Sequence, residues 1–224
     1  MKKLLDFSNV LLYVVTPEIE DEARFFEKLD QILAGGTDAV QLRSKKRPDR
    51  DLLRIGEIVK EKCQDSGALF IVNNRPDLAL ALEADGVHLG HRDLPIHLAR
   101  QMLGYKKIIG ASAHSVAEAL SAQREGADYV SCGPIWATPT KPEYEAVGLG
   151  LIDLYRASIG IPFVVIGGID EFNIDQVVAH GAKRAAFVRA LFESANPKMA
   201  AQDFRAKIEM NWKPAELGRE EVVL

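Results

Sequence analysis

The sequence predicts an α/β protein folded as a (β/α)₈ TIM barrel. Three observations carry this. Short apolar, β-branched runs alternate with longer segments of helical period along the chain. Such strand-helix pairs number eight in roughly 200 residues, the count that closes a parallel barrel. The runs also lack clean apolar-polar alternation, which fits strands buried on both faces.

The first strand is Leu11–Val15, and the helix after it, Glu20–Ala34, stops at Gly35-Gly36. Ala39–Leu42 leads into Asp49–Gln64, which ends near Gly67. Leu69–Val72 leads into a short helix, Asp77–Glu83. Gly86–Leu89 is followed by Ile96–Leu103, closed by Gly104. Ile108–Ser112 precedes a helix opened by Ser115 with Glu118 three residues on, the spacing of a capping box, and closed at Gly126. Tyr129–Gly133 leads to Leu149–Ser158, Phe163–Ile166 to Asp170–His180, and Arg184–Val188 to Pro197–Met210. A doubly wound open sheet is the alternative. Against it, Thr16-Pro17-Glu18 follows the first strand with no GxGxxG, and no Walker A motif occurs. One barrel domain over 1–210 is expected, with 211–224 as a short charged tail.

Composition narrows the function. The chain has 224 residues, 47% hydrophobic and 27% charged, with net charge −4. A chain-wide basic footprint for nucleic acid is therefore absent. No apolar run approaches the ~18 residues of a membrane helix. The start resembles a signal peptide, but Asp6 and Asn9 interrupt its apolar stretch and no cleavage site follows, so a cytoplasmic protein is expected. Cys63 and Cys132 lie outside any CxxC and read as buried, reduced thiols rather than a disulfide framework or zinc site.

Reactive groups of this fold sit where strands end. Strand two leaves through Gln41, Arg43 and Lys45, spaced by two and so facing one side. Later exits supply Asn73-Asn74-Arg75, then His88, Gly90, His91 and Asp93, then Ser112 and His114. The last three supply Gly133-Pro134 with Thr138-Pro139-Thr140-Lys141, then Gly167-Gly168, then Arg189. The set points to anion binding. Arg43, Lys45 and Lys141 carry charge, Ser112, Thr138 and Thr140 donate through hydroxyls, and Gly167-Gly168 lets backbone N–H groups approach an anion. Asp93, a lone carboxylate among donors, suggests a metal bridging to phosphate. His88 reads as a hydrogen-bonded interior histidine, and His91 and His97 as loop and helix residues. His114 reads equally as a ligand contact or a helix-start residue.

In this order the motifs resemble those of the thiamine-phosphate synthase family and its thiazole tautomerase relatives. The resemblance runs from Leu12-Tyr13-Val14-Val15-Thr16 through Gln41-Leu42-Arg43-Ser44-Lys45, Val72-Asn73-Asn74-Arg75-Pro76-Asp77 and Ala84-Asp85-Gly86-Val87-His88-Leu89-Gly90. It continues through Gly110-Ala111-Ser112-Ala113-His114, Gly126-Ala127-Asp128-Tyr129-Val130, Gly133-Pro134-Ile135, Thr138-Pro139-Thr140-Lys141 and Ile166-Gly167-Gly168-Ile169 to Arg189.

The resemblance implies a TIM barrel that joins a pyrimidine methyl diphosphate to a thiazole phosphate. Thiamine phosphate forms and diphosphate leaves. It implies that Gln41, Arg43, Lys45, Asn73, Ser112 and Lys141 bind the pyrimidine diphosphate. Arg43, Lys45, Ser112 and Lys141 would carry the catalysis. Thr138, Thr140, Gly168, Val188 and Arg189 would bind the thiazole phosphate, and Asn74 and Asp93 would hold Mg²⁺. Two positions depart from the family pattern: Asn74 stands where Asp is usual, and Arg189 where a small residue is usual. Two other readings stay open. One is a tautomerase-like paralogue using His114 as base, and the other a non-catalytic binder of thiamine phosphates. The expected partners are small-molecule substrates, with no nucleic acid or membrane, and the barrel exterior could pair two copies.

Overall fold

The structure, a computed structural model, describes residues 7–139 and 144–210. Eight parallel strands close into a barrel in sequence order, with the last hydrogen-bonded to the first. They are β1 (Leu12–Val15), β2 (Ala39–Leu42), β3 (Leu69–Asn73), β4 (Gly86–Leu89), β5 (Ile108–Ala111), β6 (Tyr129–Cys132), β7 (Phe163–Ile166) and β8 (Ala185–Phe187). Between and after them run α1 (Glu22–Ala34), α2 (Asp49–Ser66), α3 (Pro76–Ala81), α4 (Ile96–Leu103), α5 (Val116–Arg124), α6 (Gly150–Ser158) and α7 (Ile174–Ala179). A short α8 (Arg189–Phe192) and the longer α9 (Pro197–Met210) complete the ring. The (β/α)₈ expectation holds. The expected segment 211–224 lies outside the described residues.

The burial follows from strand alternation. One set of side chains, including Leu12, Val14, Val40, Val87 and Val165, packs outward on the helix ring. The other set fills the barrel: Tyr13, Ala39, Ile71, Ile108, Tyr129, Val164 and Ala186. Large and small residues compensate here. A Cβ on Gly110 would come within 2.1 Å of the Tyr129 ring, so only glycine leaves room for that tyrosine. A 3-10 turn, Phe7–Asn9, closes the bottom of the barrel before β1. Phe7 stacks on Tyr129 with ring centroids 3.7 Å apart.

An aspartate stands just before each of β2, β4 and β6 and caps the strand before. Asp38 Oδ2 accepts from the N–H groups of Leu11 and Leu12 at 2.9 and 3.0 Å. Asp85 accepts from Phe70 N–H at 2.8 Å, and Asp128 from Ile109 N–H at 2.7 Å. These carboxylates satisfy backbone donors at the rim away from the strand exits. Arg205 of α9 locks this rim by donating to Gly36 O at 2.6 Å and to Asp38 Oδ1 at 2.8 Å.

Two local expectations need correction. The seventh helix starts at Ile174 rather than Asp170. Asp170 Oδ1 accepts the Phe172 N–H at 3.0 Å, and Asn173 Oδ1 accepts the Asp170 N–H at 2.9 Å. These side chains hold the backbone in a turn that competes with helix. The chain after β8 also makes the extra helix α8, where the sequence pattern showed only a strand exit. By contrast, the capping box forms as expected: Ser115 Oγ accepts the Glu118 N–H at 3.2 Å. Its return bond goes one residue further back, from His114 N–H to Glu118 Oε2 at 2.6 Å.

Candidate active site

A cavity of about 1160 Å³ opens at the strand exits and runs on between β8, α8 and α9. Gln41, Arg43, Asn73, His88, Ser112 and Ser131 line its inner wall, each from a strand of β2 to β6 or the residues just after it. They face the same volume because inward positions recur every second residue. Thr138, Gly168, Val188 and Arg189 line the opposite side.

Beneath this wall runs a buried chain of polar side chains. Gln41 Nε2 donates to the Tyr13 hydroxyl at 2.8 Å. The Tyr13 and Tyr129 hydroxyls are 2.8 Å apart. Tyr129 lies 3.0 Å from His88 Nδ1, and His88 Nε2 lies 3.1 Å from Ser112 Oγ. Burial holds both phenols well above their ordinary ionisation range, so both remain neutral donors. The Tyr13 oxygen accepts from Gln41, and the two phenols share one further hydrogen bond. His88 bonds through both ring nitrogens, to Tyr129 on one side and Ser112 on the other. Ser112, at the end of this chain, lines the cavity.

The β1–α1 loop fixes Arg43. Thr16 Oγ1 accepts the Arg43 N–H at 2.8 Å and donates to Arg43 O at 3.0 Å. Glu18 accepts from Ser44 Oγ at 2.8 Å and from Lys45 N–H at 2.9 Å, and lies 3.9 Å from the Arg43 guanidinium. Burial pushes the Glu18 carboxyl up, but the Lys45 N–H, the Ser44 hydroxyl and the Arg43 charge outweigh it and hold it low. Arg43 itself is 9% exposed and faces the cavity. Lys45 is exposed on the loop and does not line the cavity, because β2 ends at Leu42 and strict alternation ends with it.

Gly167 and Gly168 both adopt positive φ, 104° and 68°. A Cβ would come within 2.4 Å of Pro134 at the first and 2.7 Å of Trp136 at the second. The pair therefore lets the β7 exit lie against the β6 loop that carries Thr138. Gly168 O is taken by Asn173 Nδ2 at 2.7 Å. Arg189 begins α8 and is exposed at the cavity mouth, so its bulk does not fill the interior.

Asn74 and Asp93 stand after β3 and β4, which are adjacent in the barrel. Asn74 adopts φ 64°, and its N–H donates to His88 O at 2.8 Å. Asp93 Oδ2 accepts the Gly90 N–H at 2.6 Å, so it also orders its own loop. An amide oxygen and a carboxylate on neighbouring exits are hard oxygen donors of the kind Mg²⁺ takes. Neither residue lines the cavity wall. Thr140 and Lys141 lie outside the described residues. Glu18, Tyr13 and Tyr129 belong to the site's support and were not anticipated. Their signal was weak, since the two tyrosines lie inside otherwise apolar strands.

The comparisons with known proteins point to one family. The sequence profile of the thiamine monophosphate synthase family matches residues 12–191. The chain is 45% identical over 199 residues to a thiamine-phosphate synthase of Thermobifida fusca, covering 88% of this chain and 91% of that one. It is 40% identical over 206 residues to a thiamine-phosphate synthase of Thermosynechococcus vestitus, covering 92% of this chain but 58% of that longer protein. It is also similar to the solved thiamine phosphate pyrophosphorylase from Pyrococcus furiosus. That match has TM-score 0.83 and 34% identity, over 91% of this chain and 98% of the other.

Proposed function

The chain belongs to the thiamine monophosphate synthase family, and from that premise we propose how its own residues carry the family's reaction. The enzyme is a transferase. It condenses 4-amino-2-methyl-5-(diphosphooxymethyl)pyrimidine with thiazole phosphate, forming a carbon–nitrogen bond and releasing diphosphate. One observation carries the residue assignment: Arg43, Asn73, Ser112, Thr138, Gly168 and Arg189 converge on a single cavity at the strand exits.

The difficult step is cleavage of the carbon–oxygen bond to diphosphate, which leaves negative charge on the departing group. Fixed donors stabilise that charge where it grows. Arg43, held by Thr16 and Glu18, presents its guanidinium to the cavity. Ser112, bonded to His88, presents its hydroxyl to the cavity. We assign Gln41, Asn73, Lys141 and, from the exposed loop outside the cavity wall, Lys45 to the same diphosphate. Thr138, Thr140, Gly168, Val188 and Arg189 are assigned to the thiazole phosphate. The aminopyrimidine spreads positive charge on its exocyclic carbon, so no general base is needed to start the reaction. The walls hold the thiazole nitrogen near that carbon.

Asn74 and Asp93 are the residues that would hold Mg²⁺. When bound, the ion neutralises charge on the diphosphate. The substrates are small molecules, and no helix among the described residues is long and apolar enough to cross a membrane. We place the enzyme in the cytoplasm, in keeping with two buried thiols that carry no disulfide.

The test mixes purified protein with both phosphorylated substrates and Mg²⁺ and follows diphosphate release. Release that depends on the thiazole partner supports the synthase reading. Isomerisation of the thiazole lost in His114→Ala would favour a tautomerase, and binding without turnover a non-catalytic binder.

A further inference from the structure

We propose that His91, His114 and Glu118 form a binding site for one transition-metal dication of the Zn²⁺ class, on the rim between the β4 and β5 exits. One ligand atom from each of the three lies within 4.8 Å of the others. His91 Nε2 is already 2.9 Å from Glu118 Oε2, and the two imidazole rings are centred 5.7 Å apart. Tetrahedral ligation needs such atoms about 3.4 Å apart, given Zn–N and Zn–O bonds of about 2.1 Å. Small side-chain rotations supply that spacing.

The groups around these three side chains hold them as a metal site requires. His114 Nδ1–H donates to the Gly133 carbonyl, which fixes the tautomer and puts the lone pair on Nε2. Metal-bound histidines usually make this bond to a backbone carbonyl or carboxylate. Glu118 is held in place by the His114 N–H, and its own N–H is held by Ser115. The His91 and Glu118 side chains are 43% and 37% exposed, so an ion can reach them. Two imidazoles and one carboxylate favour Zn²⁺, Co²⁺ or Ni²⁺ over Mg²⁺, and three protein ligands leave one position for water. The donor set differs from the all-oxygen pair Asn74 and Asp93, so the two sites take different ions. On binding, His91 ligates through Nε2, with its remaining ring proton on Nδ1.

The experiment titrates the full chain with Co²⁺ without substrate and follows visible absorption, with Zn²⁺ then added as competitor. One equivalent of four-coordinate Co²⁺ is expected, displaced by Zn²⁺ and retained in large excess of Mg²⁺. His91→Gln and Glu118→Gln should each weaken binding by about tenfold or more. His180→Gln removes another exposed histidine–carboxylate pair, His180 with Asp153 at 2.7 Å, and should leave binding unchanged. Glutamine at 118 can still cap the helix. If that variant nonetheless unfolds by circular dichroism, His91→Gln decides alone. Absence of a four-coordinate spectrum, or equal affinity in wild type and His91→Gln, overturns the proposal. Since no substrate is present, failure here leaves the synthase reading untouched.

Discussion

His88 Nε2 lies 3.1 Å from Ser112 Oγ, and this contact ties the serine hydroxyl to the imidazole at the cavity wall. The imidazole takes its own orientation from Tyr129 beneath it. A residue deep in the barrel thereby positions a donor at the surface of the cavity.

Tyr129→Phe tests that arrangement. The change removes the hydrogen bonds that Tyr129 makes to the Tyr13 hydroxyl and to His88 Nδ1. Stability should fall by about 1–3 kcal/mol, read from the urea midpoint. The KM for the pyrimidine diphosphate should rise as Ser112 loses its fixed orientation. An unchanged midpoint and KM would mean that Tyr129 does not position His88 and Ser112.

Gly110→Ala addresses packing alone. Its Cβ would meet the Tyr129 ring at 2.1 Å, and that ring is fully buried. Overpacking of this kind costs about 1–3 kcal/mol or more. Thermal melting should show the loss, and a wild-type melting temperature would mean that the ring has room to move.

Arg43→Lys keeps the charge and removes the planar fork. Arginine meets a phosphate with two parallel N–H donors, whereas lysine acts as a point charge. Turnover should fall by about 10²–10³, the usual cost of one lost transition-state donor. Steady-state kinetics with equal rates in both proteins would place Arg43 outside the reaction.

Glu18→Gln should flatten the acid side of the stability profile. The Glu18 carboxyl is held below the ordinary 4.5 in the folded chain despite burial. Its contribution is therefore fully present above that value and lost as pH falls through the folded-state value. Denaturant unfolding at neutral and acid pH should show a smaller acid loss in the variant. Parallel profiles would mean that Lys45 N–H, Ser44 and Arg43 do not favour the ionised carboxylate.

Asn74→Asp restores a negative charge at the position proposed to hold Mg²⁺. Aspartate tolerates the left-handed backbone found here at φ 64°. The Mg²⁺ concentration for half-maximal activity should drop. No change would separate residue 74 from the ion.

The barrel was legible because its signals are local. The Ala39–Leu42, Gly86–Leu89 and Phe163–Ile166 runs are the observed strands, and Ser115 with Glu118 did start a helix. Asp38, Asp85 and Asp128 were visible in the sequence, but their shared role as strand caps depends on which strand lies alongside. The same holds for Glu18, whose partners Ser44 and Lys45 come from the next loop in space. Periodicity placed Gln41 and Arg43 on one face. It could not show that the chain turns before Lys45, because strand ends depend on tertiary pairing. The helix starting at Ile174 was obscured because Asp170 and Asn173 close a turn through side-chain bonds that helical patterns do not register.

The stacked Phe7 has a practical consequence for anyone who handles this chain. It acts as the stopper of the cylinder, and Arg184 fastens the turn that carries it by donating to Ser8 O. Trimming the amino terminus past this turn would let water reach the Tyr13 and Tyr129 hydroxyls from below. Affinity tags are therefore best fused upstream of an intact Phe7, since versions that begin at β1 lack the ring that stacks on Tyr129.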